Sequence, residues 1–141
     1  MSNKNVKLTL SLQYSGVDDE TVNAPAQVLN CPYAAGAQMV GGIDVTAGTD
    51  GSVTPVVFDV PFGGIAQATL MILENRTSQS MELKVNGQNP VGNHHDIPPG
   101  GFFVLGGSTV AAHPLTAVSL TLASLCAGAG SVAFKLFGDP V

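Results

Sequence analysis

The chain has 141 residues, enough for one domain with a sizeable core and too few for two of ordinary size. Only 11% of its residues are charged, against about 25% in a typical globular protein, and 45% are apolar. Ten acidic and five basic residues give a formal charge of −5, which leaves no basic patch to neutralise phosphates or anionic lipid and argues against nucleic acid and membrane as partners.

The opening Ser2-Asn3-Lys4-Asn5 runs straight into an alternating stretch and lacks the unbroken apolar segment of a secretion signal, so the product is expected to stay in the cytoplasm of the cell that makes it. Val6, Leu8, Leu10, Leu12 and Tyr14 alternate with Lys7, Thr9, Ser11 and Gln13, the pattern of a half-buried strand. Ser15 to Pro25, with Asp18-Asp19-Glu20, reads as a solvated loop. Ala26–Cys31 is a short strand stopped by Pro32, and the Ala- and Gly-rich stretch from Tyr33 to Gly42 permits a helical turn. Ile43 and Val45 begin a third strand before the tight Asp50-Gly51 turn, and Thr54–Val60 is a β-branched strand ending at Pro61.

Gln67–Glu74 is apolar on both faces, as expected of a central strand or one covered by a partner. With Met81–Val85, which ends at the turn dipeptide Asn86-Gly87, it reads as a β-hairpin. An irregular stretch from Pro90 to Gly101 precedes strands at Phe102–Leu105, Val118–Leu122 and Val132–Phe137. The segment from Ile97 to Phe134 is uncharged and long enough to cross a bilayer, but its Gly and Pro breaks and its period of two describe strands. The expectation is a single domain over 1–141, all-β, an antiparallel β-sandwich of jelly-roll type with about eight or nine short strands.

No constellation carries chemistry well. His94-His95-Asp96, with His113 downstream, is the densest metal-capable group, yet adjacent side chains on an extended chain point apart, and no Glu follows Glu82 to complete a cupin-like ligand set. No Gly-x-Ser-x-Gly elbow occurs, and the glycine pairs lack the Lys-Ser/Thr of a phosphate loop. Asp18, Asp19 and Glu20 sit where nothing would raise a carboxyl pKa. Cys31 and Cys126 have no cationic neighbour in sequence and are expected to be reduced and buried. Asn75-Arg76-Thr77 matches the N-glycosylation triplet but reads as a turn. The expectation is therefore no enzyme, no cofactor and no metal.

Ile72-Leu73-Glu74-Asn75-Arg76-Thr77, then Leu83-Lys84-Val85-Asn86-Gly87, then Ile97-Pro98-Pro99-Gly100-Gly101 resembles a pattern of small virion proteins of tailed bacteriophages. The resemblance covers 72–101 and implies a capsid decoration or cement protein: a β-sandwich on the virion surface whose partners are the major capsid protein and copies of itself. A tail- or fibre-associated receptor- or carbohydrate-binding module is the alternative. Low charge and a doubly apolar strand agree with such a role, because large exposed apolar patches mark association surfaces. The candidate contact residues are Met71 and Leu73 on that strand, and His94, His95, Ile97, Phe102 and Phe103 in and after the irregular stretch.

Overall fold

Alternation puts successive side chains on opposite faces of an extended chain, and the fold uses almost every alternating run as a strand. The structure, a computed structural model, describes residues 3–15, 21–86, 95–106 and 115–141. Among these residues there is no helix, and the strands are β1 (Asn3–Ser15), β2 (Thr21–Ala34), β3 (Gln38–Val45), β4 (Thr49–Asp50), β5 (Val56–Asp59), β6 (Ile65–Asn75), β7 (Met81–Val85), β8 (Asp96–Ile97), β9 (Phe102–Gly106), β10 (Val118–Leu122), β11 (Leu125–Cys126) and β12 (Gly130–Pro140). The all-β reading stands. The strands number twelve, more than eight or nine, mainly because β4, β8 and β11 have two residues each, too few to show a period.

β3 pairs with β12, β4 with β11, β5 with β10, β6 with β9 and β7 with β8, all antiparallel, so each pair lies inside the previous one along the chain. This nested ribbon winds into two four-stranded sheets, ordered β3-β12-β6-β9 and β5-β10-β7-β8, with β12–β6 and β10–β7 as the pairings between turns of the ribbon. That winding is the jelly roll. Met71, Leu73, Val132 and Leu136 from the first sheet meet Met81, Leu83, Ile97, Leu120 and Leu122 from the second, all 0–1% exposed. Burial of each Leu of this kind contributes about 2–3 kcal/mol.

Three local expectations are corrected. The segment from Tyr33 to Gly42 forms no helical turn; a tight turn at Ala35-Gly36, closed by Ala37 N–H on the Ala34 carbonyl at 3.0 Å, leads into β3. The glycine-rich β3 is held as a strand by eight pairings with β12, and the Phe134 ring lies over Gly41, where a Cβ would sit 3.0 Å from it. Residues 21–25 and 32–34, read as loop and strand stop, belong to β2, which pairs with β1 in a long hairpin. Pro25 falls where the register shifts between Leu10 and Leu12, a place with no ladder bond to lose, and Pro32 is tolerated because a two-stranded ribbon leaves alternate N–H groups unpaired.

The third correction concerns β6 and β7, which do not form a hairpin but lie in opposite sheets. Each has a fully apolar face, and the two faces bury each other across the sandwich. Asn75 fixes the corner between them: its Nδ2 donates to the carbonyls of Gln79 at 2.7 Å and Ile97 at 2.9 Å, and its Oδ1 accepts from Thr77 N–H and Oγ1. Asn75 is 1% exposed, so the glycosylation triplet is a structural turn whose amide is fully engaged.

Candidate interaction surface

The register assigns every residue of the two outer faces. On the second sheet, Val57, Thr121, Glu82 and Asp96 form one outward row, and Asp59, Ser119 and Lys84 the next. Apart from Val57, this face is hydroxylated or charged. On the first sheet, Val40, Lys135, Ile72 and Val104 form a row across four strands, beside Gly42, Ala133, Glu74 and Phe102. Val40 is 61% exposed and Phe102 66%, so this face presents apolar side chains to solvent. Its charges are Asp44, exposed in the next row beside Ser131; Lys135, which has no ion pair among the described residues; and Glu74, which accepts from Arg76 at 2.7 Å. That carboxylate holds the guanidinium firmly protonated. The cleft between Ile72, Phe102, Ala133 and Lys135 has about 80 Å³, far below the roughly 300 Å³ of a small-molecule site. Its geometry suits protein contact.

A third row is Gln38, Phe137, Leu70 and Gly106, of which Gln38 is exposed and the other three lie against the β1–β2 hairpin. Tyr33 stands edge-on against Phe137 of β12 with ring centroids 5.1 Å apart, and the Pro32 carbonyl accepts from Thr69 Oγ1 of β6 at 2.9 Å. Leu29 and Cys31 crowd Gly106 at the β9 edge, where a Cβ would sit 2.7 Å from Leu70 Cδ1 and 3.1 Å from Leu29 Cδ2. A larger residue there would have to displace the Leu70 side chain. The hairpin thus crosses the sheet from β12 over β6 to β9. Beyond Leu29 its apolar side chains lose their cover: Leu10 is 50% exposed, Leu12 60% and Val28 50%.

The candidate contact residues fall in different places. Met71, Leu73 and Ile97 are core residues, 0–1% exposed, and present nothing to a partner; they are corrected to packing positions, since the doubly apolar strand is central and covered within the chain itself. Phe102 lies on the open face, and Phe103, half-buried, packs inward with the His95 ring edge-on at 5.3 Å. The His95 carbonyl accepts from Leu83 N–H, which makes this histidine part of the sheet edge. His94 and His113 lie outside the described residues. Among the described residues no three His, Cys, Asp or Glu side chains gather as a metal site, and no helix is long and apolar enough to cross a membrane. Cys31 and Cys126 are buried thiols, the first on the side of the hairpin that faces the sheet and the second in the core.

Sequence reasoning missed Leu10, Leu12, Val28, Val40 and Val104 as surface groups. The signal was available for the first two: an apolar stripe along a strand states that something covers it, without naming what. The chain matches no protein-family model and no curated protein sequence.

Proposed function

We propose that this chain is a structural subunit of a virus particle, a decoration or cement protein that binds the capsid shell and its own copies. The observation that supports this reading is the inequality of the two outer faces. One is hydroxylated and charged with Val57 as its one apolar side chain and suits solvent; the other, beside Asp44, Glu74 and Lys135, carries Val40, Ile72, Val104, Phe102 and Ala133 and extends into an apolar hairpin. A subunit laid on a shell needs this arrangement, with the apolar side turned to protein and the polar side to water. Burying such a face between neighbouring shell subunits stabilises their contacts, so the particle resists heat and internal pressure without any reaction being catalysed.

Quantitative mass spectrometry and cryo-microscopy of purified particles test the proposal. The expected result is this chain on the outer shell at a copy number comparable with the major capsid protein, and a lower disruption temperature for particles lacking it. Its absence from the particle, or presence only at the tail, overturns it.

A further inference from the structure

The hairpin covers only one of the four rows on its own sheet, and then runs past the sheet edge with its apolar stripe uncovered. We infer that the overhanging half of the β1–β2 hairpin lies across two of the open rows of a second copy's β3-β12-β6-β9 sheet, so that each copy gives an arm and receives one. The inference rests on the reading of this face as an association surface and names its occupant.

Three features point to a second copy. The first is continuity: the overhang extends the same ribbon that already packs on this sheet through Tyr33, Cys31 and Leu29, so the surface that fits it has the character of that sheet's outer face. The open rows Val40-Lys135-Ile72-Val104 and Gly42-Ala133-Glu74-Phe102 are such a surface. Length is the second. From Leu29 to Thr21 the overhang extends about 25 Å at roughly 3.3 Å per residue, enough to cross four strands spaced at about 4.8 Å. Charge is consistent with this, because residues 8–15 and 21–34 contain no Asp, Glu, Lys or Arg and meet a face whose charges balance: Asp44 against Lys135, and Glu74 paired with Arg76.

The third is area. A ribbon about 25 Å long and about 10 Å wide buries on the order of 500 Å² counting both surfaces, about half of the roughly 1,000 Å² a specific interface needs. A partner gripped by one arm alone falls short. Reciprocal exchange between two copies reaches the threshold, and it closes the assembly with no arm or face left over.

Sedimentation equilibrium of the purified chain tests the inference with two variants. Leu10→Lys/Leu12→Lys spoils the arm, and Val40→Asp/Val104→Asp spoils the receiving face; all four side chains are substantially exposed, so the fold tolerates them, and far-UV circular dichroism checks it. The expected result is an oligomer for the wild type at micromolar concentration and a monomer for each variant. A mixture of the two variants is expected to regain a one-to-one complex, since the lysine-bearing arm meets the aspartate-bearing face while the unaltered arm of the second variant meets the unaltered face of the first, so that both contacts form; structural damage would give no such rescue. A wild type that stays monomeric at 100-fold higher concentration, variants that keep the wild-type mass, or a mixture that remains monomeric would overturn it. Particle binding is read separately: a monomer that decorates shells sinks the arm exchange alone, and an arm-exchanged oligomer absent from particles sinks the decoration role alone.

Discussion

The sandwich and the hairpin are built from the same pattern and end in different environments. In β6, Leu70, Met71 and Leu73 are fully buried, although neighbours in sequence point to opposite faces. In β1, Val6, Leu8, Leu10 and Leu12 keep a regular alternation, yet cover is lost along the strand until Leu12 is 60% exposed. Alternation states that one face avoids water. Whether that face is satisfied within the chain depends on what lies opposite, and for the distal hairpin nothing among the described residues of this chain does.

The comparison has measurable consequences, the largest in the sandwich. Leu120 is paired with Leu83 at the centre of the core, both 0% exposed, and Leu120→Ala is expected to cost about 3–4 kcal/mol of unfolding free energy in chemical denaturation. A loss below about 1 kcal/mol would mean that the nested ribbon does not enclose a tightly packed core.

A smaller effect is expected at the corner between the sheets. Asn75→Ala leaves the Ile97 carbonyl and the Thr77 N–H without their side-chain partner, a cost of about 2–3 kcal/mol. Because the defect sits where β6 and β7 part, amide exchange should accelerate around residues 75–81 first. Uniform acceleration across both sheets would show that the corner is not a separable element.

The smallest effect separates the two regions. Tyr33→Ala removes the edge-on contact with Phe137 that seats the hairpin, worth about 1 kcal/mol. Exchange should rise in β1 and β2 while β6, β10 and β12 stay protected and the main unfolding transition barely moves. If the main transition falls as far as it does for Leu120→Ala, hairpin and sandwich are one cooperative unit and the contrast drawn between them is false.

Much of the candidate surface was hidden from the sequence for an identifiable reason. Met71 and Leu73 were expected at a contact because their strand is apolar on both faces; the inner face proved to be the core, and Leu70 on the outer face is covered by the chain's own Cys31 and Leu29. Phe102 was legible as an aromatic following a proline-glycine turn, and it does stand on the open face. Val40 was not, because a glycine-rich stretch shows no periodicity until β12 is placed beside it.

The residues by themselves determined that the chain is made of strands, where most of them run, and that charge is too sparse to clothe every surface. Those are local properties, set by the period of two and by side-chain chemistry. Only the tertiary structure decided that β6 and β7 part into opposite sheets, that one outer face is polar and the other apolar, and that the hairpin overhangs. Each of these depends on pairing residues far apart in sequence: the partner of Val132 is Ile43, and no local pattern encodes that distance.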